Sequence, residues 1–162
     1  MTKPFKNSRL LWLSALVIAI DQFTKYLVAS RLQIFDSIPV VPYFNLVRMH
    51  NTGVAFSMFN TAPAAVFILL GAVVSVGILL WLRRHPTDHT LVACAFTLIL
   101  GGALGNAIDR AARGYVVDFV QFYVGNWSFA AFNVADSAIT LGAGLLILDM
   151  IMESLPGHKQ KA

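Results

Sequence analysis

The sequence predicts an α-helical integral membrane protein, four transmembrane helices carrying a small β-rich outer segment, and three observations predict it. The 162 residues are 57% hydrophobic and only 12% charged, and a mean hydropathy of +0.70 is far above that of a soluble domain of this size. Four apolar runs are long enough to cross a hydrocarbon core of roughly 30 Å, which takes about 20 residues. The basic residues fall in a pattern that orients those runs.

The first run spans Leu10 to about Ala29. A basic stretch and an apolar segment from Leu10 to Ile20 imitate a secretory signal, but Asp21-Gln22-Phe23-Thr24-Lys25 follows where a cleavage site would need small residues. The apolar character then resumes, which predicts an uncleaved span. Asp21 and Lys25 are four apart and share a helical face, so they can pair; inside a membrane such charges face protein or water. A buried ion pair that fixes helix packing is one reading of them.

Arg31 to Asn60 is too long for a turn and is rich in β-branched and aromatic residues punctuated by Pro39, Pro42 and Gly53. A small antiparallel sheet at the outer membrane surface suits it. Asn51-Thr52-Gly53 is a turn signal; alternatively, Asn51 or the Gly53 backbone holds an extended peptide. The second run, Pro63 to Leu82, is plain, with Gly71 and Gly77 expected at close-packing positions. In the following Arg83-Arg84-His85-Pro86-Thr87-Asp88-His89-Thr90, Pro86 breaks the helix that would have aligned the two histidines, so a solvated turn is expected rather than a metal site.

The third run, Leu91 to about Ala112, ends in GGALGNAIDR. Gly101 and Gly105 form a small-xxx-small face for a neighbouring helix. Asn106 and Arg110 share a face, Asp109 points elsewhere, and an ordinary polar helix end accounts for them equally well. The fourth run is Val134 to about Leu155, and the spans compose a single membrane-embedded domain over 1–162 with nothing soluble appended.

Lys3, Lys6, Arg9, Arg83, Arg84, Lys159 and Lys161 lie on one side of this topology, against Arg31, Arg48 and Arg113 on the other. The positive-inside rule then puts both termini in the cytoplasm. The net charge of +4 reports orientation rather than nucleic-acid binding. Cys94, the one cysteine, excludes a disulfide within the chain.

The stretch Gly114 to Asp136 sets two carboxylates, Asp118 and Asp136, among apolar and aromatic neighbours. If they lie close together they cannot both ionise cheaply, so one keeps a proton near neutral pH while the other acts as a base. That is the arrangement of an aspartyl hydrolase. Blander readings exist: Asp118 as a loop carboxylate paired with Arg110 or Arg113, and Asn133 as the cap of the fourth helix with Asp136 at its third position. Against them, half of the eight acids, Asp21, Asp109, Asp118 and Asp136, gather toward the outer surface. A transporter would spread polar residues through the membrane depth, and a scaffold would have no use for two such acids.

DQFTK at 21–25, NTGVAF at 51–56, GGALGNAIDR at 101–110, VVDF at 116–119 and FNVADS at 132–137 together resemble, in order and over essentially the whole chain, the sequence blocks of the lipoprotein signal peptidases, or signal peptidases II. The resemblance implies four helices with an extracytoplasmic β-cradle, and an intramembrane aspartyl endopeptidase of the bacterial inner (plasma) membrane. Its implied substrate is a diacylglyceryl-modified prolipoprotein, cut just before the lipidated cysteine near the extracytoplasmic face. Asp118 and Asp136 match the catalytic aspartates; Asp21, Lys25, Asn51, Gly53, Gly102, Asn106, Arg110, Asn133 and Ala135 match positions that support or line the site. No metal or other cofactor is implied, and the expected partners are substrate and membrane lipid, with no nucleic acid and no need for more than a monomer.

Overall fold

The computed structural model describes residues 7–53, 61–85 and 89–155. A short 3₁₀ turn (Asn7–Leu10) leads into helix α1 (Leu11–Arg31), which is followed by strands β1 (Ser37–Val41) and β2 (Phe44–Asn51), helices α2 (Ala64–Arg84) and α3 (Thr90–Arg113), strands β3 (Val116–Val124) and β4 (Trp127–Ser128), and helix α4 (Val134–Ser154). All four helices are long and apolar enough to cross a membrane, and their ends fall within about two residues of the predicted runs.

The buried face of α1 is its polar one. Ser14, Val17, Asp21, Lys25 and Val28 recur at helical spacing and are buried, whereas Trp12, Leu16, Ile20 and Phe23 point outward. This inverts a soluble helix, because lipid tails solvate leucine as well as a protein core does, while charges must find partners inside the bundle. α3 is the hub: it packs on α1, α2 and α4, and Ala93, Ala95, Thr97, Leu100, Gly101, Gly102, Gly105 and Asp109 are buried along it.

Glycines set those approaches. A Cβ at Gly101 would lie 2.8 Å from the Val17 Cβ of α1, one at Gly105 would lie 2.8 Å from Asp21 Oδ2, and one at Gly102 would strike the Ala135 carbonyl of α4. The small-xxx-small face therefore receives α1, and Gly102 receives α4. Of the two glycines expected to be packing positions in α2, Gly71 faces Ala107 and Ala103 at ordinary contact, but Gly77 meets nothing within 4 Å. Gly77 lies on the face of α2 directed away from the bundle, so close packing does not account for it.

The four strands form one antiparallel sheet in the order β1-β2-β3-β4. Half of it comes from the segment between α1 and α2, as its composition predicts; the other half is β3 and β4, from the stretch that carries Asp118. Asn51 pairs with Val116 and Met49 with Asp118 across β2 and β3. The sheet is joined to the bundle through Val28, Leu32, Val117 and Phe119, and by Arg48, whose Nη1 donates to the carbonyls of Ala29 at 2.9 Å and Leu32 at 2.7 Å at the end of α1. At the other end of the bundle, Ile78, Leu82, Ala93 and Leu100 form a second apolar cluster. The predicted strand-like run continues through Phe59, and positions 54–60 lie outside the described residues, as do Pro86, Thr87 and Asp88 of the histidine loop and the terminal lysines.

Candidate active site

β3 leaves α3 after a two-residue corner. Gly114, in the left-handed region at φ 81°, caps α3 with its N–H on the Arg110 carbonyl, a conformation that glycine adopts at little cost. Four residues on, Asp118 sits in β3 with only 2% of its surface exposed. Asp136 sits in the first turn of α4, three residues after Asn133. The Asn133 side chain accepts from Asp136 N at 3.0 Å and Asp136 Oδ2 accepts from Asn133 N at 3.2 Å, a complete capping box. The predicted cap is therefore present.

Capping and a role at the site are not alternatives here, because Asn133 holds both aspartates. With its Oδ1 committed to the Asp136 amide, its Nδ2 donates to Asp118 Oδ1 at 2.7 Å. The second oxygen of Asp118 accepts from Asn51 Nδ2 at 3.0 Å. Asn51 is oriented in turn by the Gly53 N–H on its own Oδ1 at 2.9 Å, so the turn reading of Asn51-Thr52-Gly53 holds and the turn also presents a donor to Asp118. Asp136 Oδ1 accepts from Asn106 Nδ2 at 2.7 Å. Asn106 can face only that way, since its Oδ1 accepts from Lys25 Nζ at 3.0 Å.

The Asp118 carboxyl is pushed up to about 7. Burial is the largest cause and the neighbouring Asp136 charge adds to it, while the N–H donors of Asn51 and Asn133 and the Lys25 charge work the other way. The pairing of Asp118 with Arg110 or Arg113 envisaged from sequence does not form. Arg110 instead lies 4.8 Å over the Phe67 ring, and its guanidinium donates to the Gly53 carbonyl and weakly to the Asn106 carbonyl at 3.4 Å; Arg113 pairs with Asp109 at 2.5 Å.

Behind the aspartates lies a fully buried charge cluster. Lys25 Nζ is 2.8 Å from Asp21 Oδ2 and 3.0 Å from Asp109 Oδ2, and Asp21 Oδ1 accepts the Ala135 amide at 2.9 Å. Asp21 and Lys25 are thus the buried ion pair that their spacing predicts. On the other side of Asp136, a cavity of about 1050 Å³ opens between α2, α3, α4 and the sheet. Asn51, Asn106, Arg110 and Asp136 reach it, and Leu70, Val74, Ile139, Leu141 and Phe129 make much of its wall apolar. Among the described residues no three His, Cys, Asp or Glu side chains come together as a metal site.

The family model for signal peptidase (SPase) II matches residues 13–152. The chain belongs to the signal peptidase II family. It is 47% identical over 155 residues to the lipoprotein signal peptidase of Alteromonas mediterranea, covering 93% of this chain and 85% of that protein. With the one from Haemophilus ducreyi it shares 45% identity over 146 residues, 88% of this chain and 91% of that one. A solved bacterial membrane enzyme superposes with a TM-score of 0.87 at 27% identity, over 100% of this chain and 99% of its own.

The chain is thus a multi-pass bacterial membrane protein of the aspartic peptidase class. Every position expected at the site is brought to one end of the bundle: Asn51, Asn106 and Asn133 around the aspartates, Asp21 and Lys25 behind them, Gly53 against Arg110, and Gly102 and Ala135 where α3 and α4 touch. Sequence reasoning missed two participants. Gln22 donates to Asp21, to the Gly105 carbonyl and to Asp109, and Asp109 is 0% exposed rather than part of an ordinary polar helix end. The signal for Asp109 was present: it lies three and four residues from Asn106 and Arg113, one turn beyond Gly105 on the face that Gly101 and Gly105 line.

Proposed function

We propose that Asp118 and Asp136 are the acid–base pair with which this chain removes the signal peptide of prolipoproteins, cutting just before a diacylglyceryl-modified cysteine. The observation that carries this reading is the shared Asn133, which holds both carboxylates, the Asp136 one lining a large, mostly apolar cavity. The cavity suits acyl chains and an apolar signal helix, and the chain works as one membrane domain. The sheet end of the bundle faces the extracytoplasmic side of the inner membrane, because Arg83 and Arg84 close the opposite end of α2.

In this mechanism Asp136 begins as the carboxylate, placed where the first turn of α4 favours negative charge, and Asp118 begins protonated. Asp136 takes a proton from the attacking water as its oxygen bonds to the scissile carbonyl carbon. Asp118 gives its proton to the carbonyl oxygen, forming a gem-diol. Asp136 then protonates the leaving nitrogen as the C–N bond breaks, and the proton of one diol hydroxyl returns to Asp118. The pair is restored.

Two measurements test this. One prolipoprotein assayed before and after diacylglyceryl transfer should be cleaved only in the modified form; equal cleavage of both would remove the lipid from recognition. The pH profile follows from Asp118. Because its carboxyl is raised, it keeps the working proton below about pH 7 and loses it above, so kcat/KM should fall about tenfold per unit on the alkaline side. The apparent values belong to the pair. A rate still climbing at about pH 8 would contradict a protonated Asp118.

A further inference from the structure

Asp109 is the buried acid that the mechanism above does not use. Its two oxygens collect four donors. Oδ1 takes Arg113 at 2.5 Å and Gln22 at 3.1 Å, and Oδ2 takes Lys25 at 3.0 Å and the Val117 backbone N–H at 3.2 Å. The last contact joins α3 to the strand residue that precedes Asp118, across eight positions of chain and the Gly114 corner. Charge neutralisation alone would be met by Lys25 and Arg113, whereas the Val117 contact fixes where β3 begins.

The far side of the cluster has a matching contact. Asp21 accepts the N–H of Ala135, the residue that precedes Asp136, at 2.9 Å. Each catalytic aspartate is thus preceded by an amide held on a buried carboxylate, and the two carboxylates are joined through one ammonium at 2.8 and 3.0 Å. Between them, Lys25 also fixes Asn106, the donor to Asp136.

We propose that Asp109 is a positioning residue: through the Val117 amide it sets the place of Asp118, and through Lys25 and Asp21 it sets that place relative to Asp136. This rests on the reading of Asp118 and Asp136 as the catalytic pair. A dyad that shares protons with one water tolerates little displacement, and an error on the order of 1 Å costs about 10²-fold in rate.

The test compares Asp109→Asn, Asp109→Glu, Leu82→Ala and Asp118→Asn with the wild type, all full-length in detergent, on a diacylglyceryl-modified prolipoprotein. Asp109→Asn keeps the shape of the side chain and loses its charge. Asp109→Glu keeps the charge for Lys25 and Arg113 and moves the acceptor by one methylene, so it remains informative if the amide variant does not fold. Leu82→Ala opens a gap in the apolar cluster at the other end of the bundle and serves as a destabilised control. Both Asp109 variants should lower kcat about 10- to 100-fold with KM within about threefold, whereas Leu82→Ala should lower the melting temperature and leave kcat at wild type. Wild-type kcat in a folded Asp109 variant, or a raised KM with unchanged kcat, would overturn the positioning role while leaving the catalytic pair intact. Turnover by Asp118→Asn would instead overturn the catalytic pair.

Discussion

Asp118→Asn and Asp136→Asn should each reduce turnover of a diacylglyceryl-modified prolipoprotein by about 10³-fold or more, and the double variant should be little worse than either. Acid–base assistance by one group is typically worth about 10²–10⁴-fold. In the proposed mechanism both aspartates act on the same addition step and the same gem-diol, so removing one stalls the step the other serves, and effects within such a unit do not add. Amides keep the size of the site: in Asp118→Asn one of Asn133 and Asn51 still meets a carbonyl oxygen, and the other has only to move off the new NH2 group. Folding should therefore survive, and in one variant improve. The folded protein holds the Asp118 proton more tightly than the unfolded chain does, so the wild type loses stability as pH rises from about 4 to about 7. Asp118→Asn lacks that loss. Its melting temperature relative to wild type should rise over the same interval, a gain of at most about 4 kcal/mol. Cleavage assays paired with thermal melts at about pH 5 and about pH 8 check both halves, and an inactive variant that is less stable at the higher pH would point to a structural role for Asp118.

The four spans were legible because a bilayer imposes one requirement on every helix that crosses it, a continuous apolar run. The site was legible for a different reason. Asp21, Lys25, Asp118 and Asp136 are ionisable residues in a chain that can solvate few of them, so each marks a place where partners must be built. What the residues alone did not disclose is how partners are shared. Asn133 looks like a helix cap, and it is one; that its remaining N–H falls on Asp118 depends on where β3 passes the first turn of α4, which no local spacing encodes. The strand character of Val116–Val124 was present in VVDFVQFYV, with β-branched and aromatic residues throughout. Its pairing with β2, however, joins distant segments with two helices between them. Gly77 shows the converse error. A glycine in a membrane helix suggests close approach, but only a facing helix makes it so, and α2 turns Gly77 away from α3.

Lys25→Met should destabilise the fold by about 3–5 kcal/mol. The ammonium is fully buried, 2.8 Å from Asp21 and 3.0 Å from Asp109, and bonded to Asn106. Methionine fills the space, but it leaves two carboxylates facing each other with Arg113 to offset only one, and desolvated charge without a partner is the costly state. Activity should fall further than the loss of folded protein explains. Without the Lys25 donor only the longer Asn133 Nδ2 contact at 3.3 Å holds the Asn106 oxygen, so the amide that donates to Asp136 is less firmly oriented. Pairing Asp21→Asn with Lys25→Met offers the decisive comparison: deleting one charge of each sign should recover part of the stability lost in Lys25→Met, since Asp109 keeps Arg113 and the amide introduced by Asp21→Asn still offers an oxygen to the Ala135 N–H. Thermal unfolding of the two single variants and the double in detergent at about pH 7 gives the coupling. Recovery in the double identifies the unpaired Asp21 charge as the source of the damage; simple additivity would place the damage at the other two partners of Lys25, Asp109 and Asn106.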